Sequence, residues 1–142
     1  RRQRQMCIRD RYDIQDYDHI DPHYGKIVVD EGELLQSGTT DNSRATRYVN
    51  RVTNRENLEA SNAFFAELVR EIHARGMKVI LDGVFNHCGS FNKWLDREKI
   101  YHANGGYEDG AFLSKESPYR SFFGFRDENG WPDNTSYGVV GL

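Results

Sequence analysis

Residues 82–87 read Asp82-Gly83-Val84-Phe85-Asn86-His87, so a carboxylate, an amide and an imidazole stand within one turn's reach of one another. They follow a short apolar run, Val79-Ile80-Leu81, which itself follows a helical pattern that stops at Gly76. A continuous apolar run of this kind after a helix fits a parallel strand buried on both faces. A carboxylate at the end of such a strand is costly unless it is paired or hydrogen-bonded. In a generic strand–Asp–loop, Asp82 is a loop cap and His87 an ordinary loop histidine, because satisfied structural polar groups are common. The alternative is a site able to hold a polar substrate.

A second stretch stands upstream, Tyr12-Asp13-Ile14-Gln15-Asp16-Tyr17 followed by Ile20-Asp21-Pro22-His23-Tyr24-Gly25. The string from Asp82 to His87 resembles the first conserved region of the α-amylase family, glycoside hydrolase family 13. The upstream string is similar to the segment after the second barrel strand of neopullulanase, cyclomaltodextrinase and amylopullulanase-like members. Both occur in the right order with a helix between them, and the resemblance covers essentially Tyr12 to Tyr137. It implies an α/β fold, a fragment of a (β/α)8 TIM barrel comprising the loop after the second strand, a helix and the third strand. The start of the domain inserted after that strand would follow. A full barrel takes about 250 residues, so 142 residues would be only part of one.

The resemblance also implies roles. Tyr12 matches the tyrosine whose ring stacks on the sugar at the cleavage subsite; an aromatic face suits the C–H face of a pyranose. His87 matches the histidine that hydrogen-bonds that sugar and favours its distorted form. Asp82 matches a structural and electrostatic residue paired with an arginine from a later strand. Asn86 matches a position that ligates structural calcium in many α-amylases, and is read here as a brace. Retaining cleavage of α-glucosidic bonds needs two carboxyl groups about 5–5.5 Å apart. In the family the nucleophile, the acid/base and the stabilising carboxylate lie on later strands, so no carboxylate here is given those roles.

The expected substrate is an α-glucan oligosaccharide or polysaccharide of the starch, pullulan or cyclodextrin type. No cofactor is required, and structural Ca²⁺ has no support beyond oxygen-rich Asp13, Asp16 and Asp18, whose spacing is not that of an EF-hand. The 142-residue chain itself is expected to be inactive and poorly folded, its strand having lost both neighbours. A reading from another class is a non-catalytic barrel homologue kept for sugar binding or as a scaffold. A metal-dependent hydrolase using His87, His102 and the aspartates lacks a ligand pair at helix or turn spacing.

Composition narrows the partners. A net charge of −3 with 29% charged residues favours neither nucleic acid nor an anionic membrane. No apolar run approaches the roughly 20 residues of a membrane span. Cys7 and Cys88 do not make a disulfide framework. The lone Cys88 thiol and the lack of a secretory leader pattern lean toward a cytoplasmic protein, with localisation left open because the native start is expected to be missing.

Positioning elements come next. Residues 1–11 are basic and aperiodic; Arg1 to Asp10 spell one frame of a transposon-type sequencing adapter and are set aside as an artefact. Residues 12–87 are the expected partial barrel domain. Within it, 26–55 is polar with Gly32 and Gly38 and reads as a loop insertion, most simply a solvated excursion. Asn54 or Asn57 can cap a helix running to Arg75. Phe64, Phe65, Leu68, Val69 and Ile72 recur at helical spacing and predict a buried face, with Glu67, Arg70, Glu71 and Arg75 opposite. Gly76 fits the left-handed position past the end. Residues 88–137, without a strong helix and rich in aromatics such as Trp94, Tyr119, Phe122 and Phe123, read as the start of an inserted cleft-wall domain. Most of those aromatics are expected to serve packing. Relatives read Ser-Tyr-Asp-Gly-Trp-Trp-Gly where this chain reads Ser136-Tyr137-Gly138-Val139-Val140-Gly141-Leu142, so 138–142 read as a frameshifted end.

Overall fold

The structure is a computed structural model, and it describes residues 13–35, 37–38, 45–85 and 87–125. Tyr12, Asn86, the 1–11 segment and the 138–142 end lie outside the described residues. The described chain divides into two units, 18–81, and 13–17 with 82–125.

The first unit is built on two helices, α1 (Arg47–Thr53) and α2 (Arg55–Ala74). Asn54 decides where α2 begins: its side chain accepts the Asn57 N–H at 3.2 Å, which satisfies one of the orphan donors of the first turn. The other end closes as the sequence predicts. Gly76 sits at φ +73°, its N–H reaches His73 O at 2.9 Å, and the Met77 N–H reaches Ile72 O at 3.2 Å. That pair of bonds is the Schellman closure, which needs a residue tolerant of the left-handed region. On the outer face Glu71 pairs with Arg75 at 2.6 Å, and Glu67 pairs with Arg70.

Asn57, the other candidate cap, has a different task. It is fully buried. Its Oδ1 accepts the N–H groups of Val28 (2.7 Å) and Val29 (2.8 Å), and its Nδ2 donates to Val29 O (2.8 Å) and Arg51 O (3.1 Å). One turn on, Ser61 Oγ accepts the Lys26 N–H at 3.0 Å. Gly25 packs so close that a Cβ there would stand 2.5 Å from Ser61 Cβ. The 25–29 segment thus runs against the polar face of α2 in place of a strand ladder. Asn57→Ala removes the partner of two N–H groups and two carbonyls, and is expected to cost about 2–4 kcal/mol. The readout is a lowered urea midpoint at unchanged slope in the full-length protein; a loss below about 0.5 kcal/mol would contradict this account.

The 26–55 stretch differs from its expected loop character, because 47–53 is helical. Long-range bonds hold that helix. Arg51 grips Asp30 with two bonds (Nε–Oδ1 2.7 Å, Nη2–Oδ2 2.9 Å), which lower the Asp30 carboxyl pKa. Asn50 Nδ2 donates to Glu31 O at 3.1 Å, and the Arg47 N–H donates to Glu33 O. Gly32, at φ +106°, lets this strap pass over the start of α1, where a Cβ would stand 2.6 Å from Thr46 Oγ1.

The apolar face of α2 is not buried as expected. Among the described residues the buried positions of the helix are Asn57, Leu58 and Ser61, while Phe64 and Leu68 are exposed. The expected strand at 79–81 is likewise not formed: among the described residues no β-strand occurs, and Ile80 is 94% exposed. A parallel strand exists only through hydrogen-bonded neighbours, and no described segment supplies one.

The second unit packs around Cys88, Leu95, Ala111 and Phe123, with Tyr17, Trp94, Phe112, Tyr119 and Phe125 against them. It contains a short helix, α3 (Ile100–Asn104), and a 3₁₀ turn, Arg120–Phe122. Gly110 allows the closest backbone approach, since a Cβ would stand 2.5 Å from Leu95 O. There the Ala111 N–H bonds Trp94 O at 2.7 Å and the Phe112 N–H bonds Leu95 O at 3.0 Å. Asp96 is fully buried and accepts the Tyr101 N–H (3.2 Å) and the His102 N–H (2.9 Å). Burial pushes its carboxyl pKa up, and those backbone donors oppose the rise.

Candidate active site

The 82–87 segment is held by 13–17 from the same unit. Gly89 N–H (3.2 Å) and Asn92 Nδ2 (3.0 Å) both donate to Ile14 O, and the Lys93 N–H donates to Gln15 O at 2.8 Å. Asn92 is fully buried, and its Oδ1 accepts the Trp94 N–H at 2.8 Å. Lys93 Nζ meets Asp16 Oδ1 at 2.9 Å, with the side chains only 10% and 7% exposed. The Tyr17 hydroxyl lies 2.8 Å from Val84 O and 2.7 Å from His87 O. Its ring stacks on Trp94 with centroids 4.9 Å apart, and the Phe85 ring lies 6.5 Å away on a near-parallel plane. Burial, reinforced by Cys88, raises the Tyr17 phenol pKa, so the hydroxyl stays a donor at neutral pH.

The sequence-predicted residues fall as follows. His87 is half-buried, with its carbonyl on the Tyr17 hydroxyl. Asp82 is exposed, and no hydrogen bond or ion pair to it is found among the described residues. Tyr12 and Asn86 lie outside the described residues. Trp94, expected to serve packing, does so, stacked on Tyr17 and edge-on to Phe122 at 5.2 Å. The Cys88 thiol is pushed up to about 12, by burial first and then by Asp13, so it is no nucleophile at neutral pH.

Tyr17, Asn92 and Lys93 were not singled out by sequence reasoning. The Asp16-Tyr17 pair was visible only as part of the upstream string. Nothing in the sequence marked Lys93, whose partner is 77 positions away.

A family model described as "Alpha amylase, catalytic domain" matches residues 60–137, more than half of the chain and all of the 82–87 segment. The chain belongs to the α-amylase catalytic-domain family. Among relatives, the trehalose-6-phosphate hydrolase of Escherichia coli (strain K12) is 41% identical over 63 residues, 44% of this chain and 9% of that protein. The maltogenic alpha-amylase of Bacillus licheniformis is 33% identical over 86 residues, 61% of this chain and 9% of that protein. The amylopullulanase of Thermoanaerobacter thermohydrosulfuricus is 30% identical over 124 residues, 83% of this chain and 8% of that protein. The chain therefore spans less than a tenth of the length of each of these relatives. No solved structure matches.

Among the described residues no group of three or more His, Cys, Asp and Glu side chains is placed to hold a metal ion, and Asp16 is committed to Lys93. Likewise no helix among them is long and apolar enough to cross a membrane.

Proposed function

We propose that this chain is part of an α-glucan-acting glycoside hydrolase that cleaves α-glucosidic bonds with retention of configuration, and that it carries the histidine side of the cleavage subsite. The observation that carries the reading is the family match over 60–137 with Asp82 to His87 inside it. Names of relatives support the substrate class: a maltogenic alpha-amylase and amylopullulanases are among them. The Tyr12 to Gly25 string supports a neopullulanase, cyclomaltodextrinase or amylopullulanase-like member acting on starch, pullulan or cyclodextrin-type glucans.

In this reading Tyr12 stacks on the sugar, His87 donates a hydrogen bond to it, and Asp82 and Asn86 brace the site. The nucleophile and the acid/base are carboxylates outside this chain, so the 142 residues alone are inactive. The chemistry is acid–base and nucleophilic work by carboxyl groups and requires no cofactor. Exposed Ile80, Leu81, Phe85 and Phe64 are the faces that the rest of a (β/α)8 barrel would cover. The 26–55 stretch is an insertion at the active-site face, and 88–137 begins a cleft-wall domain.

A long sequencing read across the source locus tests this. The gene is expected to continue in frame from Tyr137 into Asp-Gly-Trp-Trp-Gly and then to supply Asp, Glu and Asp on successive strands. The same read is expected to show that 1–11 and 138–142 are not encoded there. A locus ending at Leu142, with Arg1 to Asp10 genuinely encoded, overturns the reading and leaves a non-catalytic sugar-binding remnant.

A further inference from the structure

The Tyr17 hydroxyl sits between two backbone carbonyls that bracket the candidate site, Val84 O at 2.8 Å and His87 O at 2.7 Å. A phenol has one proton, so the two carbonyls share it. The bond holds the Val84 and His87 carbonyls to one hydroxyl. Tyr17 is itself fixed: its ring stacks on Trp94 at 4.9 Å, and its neighbours Ile14, Gln15 and Asp16 are bonded to Gly89, Asn92 and Lys93. The hydrogen bond from this anchor reaches His87 at its main-chain carbonyl. With the His87 carbonyl pinned, the backbone from which the imidazole springs is held in place.

We propose that Tyr17 is a positioning residue for His87, setting through the Val84 and His87 carbonyls where the imidazole stands relative to the sugar. The proposal rests on the proposed glycosidase function, in which His87 meets the substrate. It assigns Tyr17 no contact with sugar. Transition-state interactions depend on placement, and a shift of about 1 Å can cost on the order of 10²-fold in rate.

Tyr17→Phe keeps the ring and its stacking and removes only the hydroxyl. In the full-length protein acting on maltooligosaccharides, kcat/KM is expected to fall about 10- to 10²-fold, mostly in kcat. The thermal midpoint should barely move. If Tyr17 acts through His87, the same substitution made in a His87→Ala background should cost less than about twofold. Equal losses in both backgrounds, or no loss in either, overturn the proposal. Hydrogen exchange over 84–88 supplies a readout that does not need activity: it should quicken in Tyr17→Phe while exchange over α2 stays as in the wild type. If the wild type cleaves no α-glucan, the proposed function fails and exchange alone decides the positioning role. Unchanged exchange over 84–88 then overturns it.

Discussion

On the proposed function, replacing His87 by alanine in the full-length protein is expected to lower kcat on maltooligosaccharides by about 10²- to 10³-fold, the loss seen when one donor to a developing transition state is removed from a desolvated site. The reason is differential binding: a hydrogen bond that favours the distorted sugar is stronger in the transition state than in the ground state. KM should therefore move far less than kcat. Alanine retains the carbonyl that accepts the Tyr17 hydroxyl, so the loss is expected to fall on turnover more than on stability. Steady-state kinetics beside a thermal melt separate the two effects. Unchanged kinetics would remove His87 from the substrate site, and a collapse of the melt would make it a structural residue.

Asp16→Ala has the second large effect, on stability rather than turnover. Lys93 Nζ and Asp16 Oδ1 lie 2.9 Å apart with almost no exposure. Removing one partner of a buried pair typically costs about 3–5 kcal/mol, because the charge left behind loses compensation. Lys93→Met alone should cost a similar amount. The double change Asp16→Leu with Lys93→Met should recover most of the loss, since a buried ion pair is roughly interchangeable with apolar groups of similar volume. Chemical denaturation of the three variants in the full-length protein reads this as a cycle. Additive losses in the double variant would show that the two residues act through separate neighbours.

What the sequence discloses follows the range of the forces involved. The limits of α2 were legible because Asn54 and Gly76 act within a few residues of themselves. Placing Asn57 against Val28 and Val29 needed knowledge of what passes α2; locally it was only a second candidate cap. The face holding Phe64 and Leu68 was read correctly as apolar, but apolar periodicity says that a face wants cover, not what supplies it. The same holds for Ile80 and Leu81, where β character without a neighbour makes no strand. Asp82 and His87 stood out by type and spacing, and the structure leaves Asp82 exposed and His87 half-buried. The Tyr17 hydroxyl and the Lys93–Asp16 pair did not stand out, because both span roughly half the chain.

The most direct test of the central claim is the anomeric configuration of the first sugar released by the full-length protein, followed by proton NMR on maltooligosaccharides or pullulan. The account predicts cleavage with the α-anomer appearing first, as a retaining two-carboxylate mechanism requires. A β-anomer released first, or no cleavage of any α-glucan, would contradict it.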